Sequence, residues 1–145
     1  MAELMIAPYI RLDEYECSCG CRGLPPDLYE GGDIADVFNI FFEYFAMIRA
    51  EWDRPIPITS GYRCGNHNKA IGGSQASVHM SGLALDLDYK NVGEVGRLAT
   101  LIDNVAHELR MGVYKDAGTF VHIDMGWSVF PRLSEKWYRG ARWYL

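Results

Sequence analysis

The residues of this chain best suited to chemistry fall in two short stretches. One is Ser77-Val78-His79-Met80-Ser81-Gly82-Leu83-Ala84-Leu85-Asp86; the other is Phe120-Val121-His122-Ile123-Asp124. The first places an imidazole and a carboxylate on either side of a glycine turn, and the second adds an imidazole on a later strand. His79, Asp86 and His122 are three nitrogen and oxygen ligands of the kind a catalytic zinc ion takes, with a fourth position left for water. Such an ion lowers the pKa of its bound water and polarises a carbonyl, so the chemistry expected is hydrolysis.

Taken singly, these residues say less. In Leu83-Ala84-Leu85-Asp86-Leu87-Asp88 the period of two sets the leucines on one face and Ala84, Asp86 and Asp88 on the other. A plain strand with a polar solvent face has the same pattern. Arg63, at the end of a strand, offers a permanently charged fork suited to a substrate carboxylate or a developing oxyanion, and equally to a surface salt bridge. The joint pattern is more specific. Ser-x-His-x-x-Gly-x-Ala-x-Asp followed by Val-His-x-Asp resembles the D-alanyl-D-alanine metallopeptidase family, which cuts peptidoglycan peptides and shares its fold with the zinc-binding domain of hedgehog signalling proteins. Ser60-Gly61-Tyr62-Arg63-Cys64-Gly65-Asn66-His67-Asn68 and Leu12-Asp13-Glu14-Tyr15-Glu16-Cys17-Ser18-Cys19-Gly20-Cys21 extend the likeness toward phage-borne and bacterial single-domain members, over roughly residues 9–143.

The resemblance implies one catalytic zinc on His79, Asp86 and His122, an Arg63 that holds the peptide carboxylate or stabilises the oxyanion, and substrate or orienting contacts from Gln75 and Ser77. It implies a small α+β domain, a mainly antiparallel sheet packed against two main helices. The partners would be peptidoglycan peptides, cut by a D,D-carboxypeptidase or an endolysin-like endopeptidase. One branch of the family carries an acidic base three positions before the last histidine; here that position is Thr119. The nearest carboxylate of matching strand parity is Asp124, the expected base, with Asp116 in the adjoining turn as second choice. Asp124 as a partner that holds a histidine ring is the competing reading. A wall-binding module without catalysis and a structural phage component are the alternatives to an enzyme.

The elements that must position these groups follow from pattern. A chain of 145 residues reads as one domain. Apolar residues are 49% and charged ones 23%, which excludes a disordered chain. The net charge of −5 gives no general attraction to nucleic acid or anionic lipid, so neither is an expected partner. No uninterrupted apolar run approaches the roughly 18 residues a membrane span needs, and the start lacks the basic and apolar regions of a secretory signal. Synthesis in the cytoplasm is expected, with access to a wall after release or in a phage particle.

Residues 1–33 read as an irregular arm broken by Gly20, Gly23, Pro25, Pro26, Gly31 and Gly32. Asp33 is the expected cap of a helix whose buried face runs Ile34, Val37, Phe38, Phe41, Tyr44, Phe45, Ile48 and Trp52. A strand at residues 56–59 should follow, its prolines implying an edge, then a short helix from Cys64 to a stop at Gly72-Gly73. The second main helix is expected over residues 93–109, and a hairpin of residues 111–114 and 119–125 turns at 115–118. His67 and His107 are expected to be structural. Residues 126–145, with Trp127, Phe130, Trp137, Tyr138, Trp143 and Tyr144, should close the domain and wall the cleft. Cys17, Cys19, Cys21 and Cys64 leave three readings open: reduced thiols, one disulfide, or a second, structural metal. With no histidine near Cys17, Cys19 and Cys21 in sequence, a cysteine nucleophile is not expected.

Overall fold

The computed structural model describes residues 4–29, 33–129 and 139–145. It is an α+β fold, and its order follows the chain: β1 (Met5–Ala7), β2 (Ile10–Arg11), α1 (Leu12–Tyr15), α2 (Asp33–Trp52), β3 (Ile58–Ser60), α3 (Gly65–Ala70), β4 (Ala84–Asp88), α4 (Val92–Val105), β5 (Arg110–Tyr114), β6 (Phe120–Asp124) and β7 (Arg142–Tyr144). Among the described residues, single turns of 3₁₀ helix lie between them at Pro26–Tyr29, Val78–Ser81 and Gly126–Ser128. The main sheet runs β3-β4-β6-β5-β7, antiparallel throughout except for the parallel pairing of β5 with β7. None of the described helices is long and apolar enough to cross a membrane.

α2 and α4 pack against each other, and α4 lies against β5 and β6. Phe38, Phe41, Phe45 and Ile48 of α2 meet Val95, Leu98 and Ile102 of α4 in one apolar layer with Leu85, Leu87, Met111, Val121 and Ile123 of the sheet. Each such side chain, taken from water, contributes roughly 1.5–3 kcal/mol. This layer uses one face of β4, β5 and β6, so their other face is left for polar residues.

Several expected boundaries shift for local reasons. β3 starts at Ile58, beyond both Pro55 and Pro57, and is an edge strand as its prolines require. α4 begins one residue early because the Asn91 side chain accepts the Glu94 amide as a cap, and it ends at Val105 rather than 109. His107 and the buried Leu109 therefore sit in the turn that follows, not on the helix. The Asp33 cap and the Ile34 contact fall outside the described side chains, as do Phe130, Trp137 and Tyr138. Phe42, absent from the expected helical face, is buried with an edge-on contact to Tyr15.

The arm is more ordered than its glycines imply. β1 and β2 form a small hairpin, and α1 delivers Tyr15 into the core. The Tyr15 hydroxyl donates to the Gly82 carbonyl at 2.7 Å, and its own carbonyl accepts the Tyr62 amide at 2.8 Å. Burial pushes this phenol far above its ordinary range, so it stays a donor. One residue thus fastens both loops that flank the site. Gly82 has φ +85, and a Cβ there would lie 2.3 Å from Pro25 Cγ and 2.6 Å from the Tyr15 hydroxyl.

Gly82→Ala should therefore cost on the order of 2–5 kcal/mol, about 1–2 from the left-handed backbone and about 1–3 from overpacking. Urea unfolding should show this as a lowered midpoint at unchanged slope.

Candidate metal centre

The site is assembled on the polar face by strand register. β4 and β6 pair so that Asp86 stands directly opposite His122, and Ala84 opposite Asp124. β5 continues the rows, with Gly112 opposite His122 and Arg110 opposite Asp124. On β7, Trp143 stands opposite Gly112. A Cβ on Gly112 would lie 2.3 Å from Trp143 Nε1, so only glycine lets the indole lie flat here, its ring centroid 5.6 Å from that of His122. The indole N–H is taken by the Tyr114 hydroxyl at 2.9 Å.

His79 arrives from the 3₁₀ turn before β4. The Ser77 hydroxyl caps that turn by accepting the His79 amide at 3.3 Å, and Gly82 ends it. The His79 ring is 3% exposed, with Nδ1 2.7 Å from the Gly61 carbonyl oxygen. A carbonyl only accepts, so Nδ1 carries the proton and Nε2 presents a lone pair. That lone pair faces Asp86 Oδ1 at 3.2 Å. On the other side His122 Nε2 donates to Asp124 Oδ2 at 2.6 Å, and Nδ1 faces the same Asp86 oxygen at 2.9 Å.

Three ligand atoms from His79, Asp86 and His122 lie within 4.8 Å of one another. With both rings neutral, each outward nitrogen is anchored as a donor while the inward ones and the carboxylate are all acceptors. Acceptors crowded at this range need a cation among them, and two imidazoles with one carboxylate suit zinc. The donor set therefore fits the metal that the sequence implies.

In the metal-free protein, protons compensate instead. Burial disfavours charge on His122, yet its hydrogen bonds to Asp124 and Asp86 outweigh that and raise the ring to about 9. Burial dominates at His79 and lowers it, despite Asp86 nearby. Burial also works against both carboxylates. Hydrogen bonds from His122 and His79 nevertheless hold Asp86 far below the usual range, and those from His122 and Arg110 lower Asp124.

Around the centre, charges alternate. Arg63 Nη2 donates to Asp86 Oδ2 at 3.2 Å, Nε to Ser60 Oγ at 3.1 Å and Nη1 to Asn68 Oδ1 at 3.4 Å. Three of its five N–H groups are thereby used. Arg110 forks onto Asp124 at 2.7 and 3.2 Å, and the Gly126 amide donates to Asp124 Oδ1 at 2.7 Å. Asp124 is 0% exposed, sealed between His122 and Arg110. The centre lies on a cleft of about 720 Å³ whose walls include Arg63, Ser74, Ser77, Tyr114, Phe120, Arg142 and Trp143.

The structure thus brings His79, Asp86, His122, Arg63, Ser77 and Asp124 together. It does not bring Gln75: with the Ser77 amide bonded to the Ser74 carbonyl, residue 75 sits at the tip of an exposed turn and does not line the cleft. Asp116 is likewise exposed in the β5–β6 turn and away from the cleft lining. Thr119 donates to Asp88 at 3.4 Å. Sequence reasoning missed Arg110, although drawing the hairpin register outward from Tyr114 opposite Phe120 sets it opposite Asp124. It also missed the Gly61 carbonyl and the strand status of Trp143, for which no local signal exists.

A search of curated proteins finds no match to this chain. The family model described as Peptidase M15 does match, over residues 13–124. That span is well over half the chain and contains every member of the centre, and the chain, with a His/Asp/His group able to hold a metal ion, belongs to the peptidase M15 family of zinc metallopeptidases.

Proposed function

We propose that this chain is a zinc-dependent peptidase acting on peptidoglycan stem or cross-bridge peptides, as a D,D-carboxypeptidase or an endopeptidase. The convergence of His79, Asp86 and His122 at a cleft of about 720 Å³ carries the reading. Bound there, zinc would supply an activated water and polarise the scissile carbonyl. The protein's own part is to fix the direction of both rings and which nitrogen faces the metal, through the Gly61 carbonyl on one side and Asp124 on the other. Arg63, with N–H groups to spare beyond Asp86, Ser60 and Asn68, is the cation for a substrate carboxylate or oxyanion. Ser77, on the cleft wall, is the hydroxyl placed to meet peptide groups.

The role that fits Asp124 is to hold His122 rather than to act as a free base. A base must meet the water it deprotonates, and this carboxylate is enclosed and already accepts from His122, Arg110 and Gly126. One observation favours a second reading, a module that binds wall peptides without cutting them. Among the described residues that line the cleft, Asp86 and Asp124 are the only carboxylates, and both are engaged.

Cross-linked peptidoglycan incubated with the purified protein should release free amines or peptides, with activity abolished by a chelator, restored by zinc and lost in His122→Ala. Binding without any release would favour the second reading.

Asp124→Asn should weaken zinc binding roughly 10- to 100-fold, as loss of a ligand's supporting partner does, and should lower stability by about 1.5–3 kcal/mol because the charge-assisted bonds from Arg110 are weakened. A free base would leave zinc affinity unchanged, so a competition titration with a chromophoric chelator decides the role.

Because His122 is protonated below about 9 in the metal-free protein and must be neutral to ligate, zinc binding at neutral pH should release about one proton. Affinity should climb with pH and level off above about 9. Calorimetry in buffers of different ionisation enthalpy measures the proton count.

A further inference from the structure

A second cluster of metal-binding groups lies outside the cleft. Cys17, Cys19 and Cys21 follow α1 in a loop that closes on itself: the Cys17 amide donates to the Gly23 carbonyl at 2.9 Å and the Arg22 amide to the Cys19 carbonyl at 3.3 Å. Arg22 takes the left-handed conformation, φ 47, that this reversal needs. Cys64 comes from the far side of the fold's sequence, at the N-cap of α3. None of the four is in a disulfide.

Their sulfurs are gathered as a metal would gather them. Sγ–Sγ separations are 3.1 Å for Cys19–Cys21, 3.4 Å for Cys17–Cys19, and 3.6 Å from Cys64 to both Cys17 and Cys19. All four sulfurs lie within 4.8 Å of one another. A zinc ion with four thiolates at about 2.3 Å has tetrahedral edges of about 3.8 Å, so the cluster is close to that size before any ion enters.

A second observation points the same way. Each sulfur accepts one backbone N–H: Cys17 from the Cys64 amide at 3.4 Å, Cys19 from Cys21 at 3.5 Å, Cys21 from Gly23 at 3.3 Å and Cys64 from His67 at 3.4 Å. Neutral thiols packed for their apolar bulk have no need of four such donors. Thiolates do, because amide hydrogens spread the negative charge that the metal leaves on each sulfur and fix each ligand's direction.

We propose that Cys17, Cys19, Cys21 and Cys64 bind one zinc ion in a closed, four-thiolate structural site, independent of the peptidase reading. Four protein ligands leave no open position, so the site holds structure and does no chemistry. It clamps the loop of residues 17–23 to the segment of residues 61–64. That segment carries the Gly61 carbonyl that fixes the His79 tautomer and the Arg63 that pairs with Asp86. The clamp thereby braces the catalytic centre from behind.

The test uses the full chain, purified under reducing conditions without chelator. Elemental analysis should give two zinc ions per chain for the wild type and one for His79→Ala/His122→Ala. Cobalt loaded into that double variant should show intense thiolate-to-cobalt charge-transfer absorption, lost in Cys19→Ser. The wild-type count stands even if the cysteine variant fails to fold. One zinc in the wild type and none in the histidine variant would overturn the proposal, as would four thiols that alkylate freely in the native protein or a disulfide found by mass spectrometry.

Discussion

The site rests on one register, that of β4 against β6. Antiparallel pairing sets Asp86 opposite His122, and the same ladder carries Asp124 to Arg110 on the next strand. A slip of β4 by a single residue would exchange its faces, sending Asp86 toward the apolar layer and Leu85 into the cleft. The helices α2 and α4 forbid it, because the leucines and valines they cover have nowhere else to be buried. Hydrophobic burial on one face is thus what holds ionisable groups together on the other.

The polar face is organised by alternating charge. Arg63, Asp86, the two rings, Asp124 and Arg110 follow one another, each anion touching a cation or a donor. Burying such a network costs desolvation that the ion pairs largely only offset, so it is a poor device for stability. Its product is orientation: every ring nitrogen has an assigned role before a ligand arrives. His79 takes its assignment from a backbone carbonyl and His122 from a carboxylate. The two ligands differ in kind, one pushed toward neutrality by burial and one drawn toward protonation by its partners.

The N-terminal segment is part of this arrangement rather than a covering. Tyr15 bonds to Gly82 on one side of the centre and to Tyr62 on the other, and the cysteine loop meets Cys64 two residues past Tyr62. A Cβ on Gly61 would lie 2.7 Å from the Tyr15 carbonyl oxygen, which shows how closely these pieces approach. The loop that presents the Gly61 carbonyl is therefore held from behind by residues far earlier in the chain.

Much of this was legible in the residues alone. Periodicity of two gave the faces of β4 and β6 and periodicity near 3.6 gave the buried stripe of α2, because these are local consequences of backbone geometry, while the likeness of the His79, Gly82, Asp86 and His122 pattern to a known family pointed to a candidate metal site. Strand parity also grouped Asp124 with His122, but parity cannot tell a carboxylate open to solvent from one sealed by an ion pair. Only the tertiary structure decided that, by setting Arg110 beside it. Only packing likewise could place Trp143 over Gly112, seat the Gly61 carbonyl on His79 and bring Cys64 to three cysteines with one-residue gaps. Those contacts join segments whose separation along the chain carries no information about distance in space.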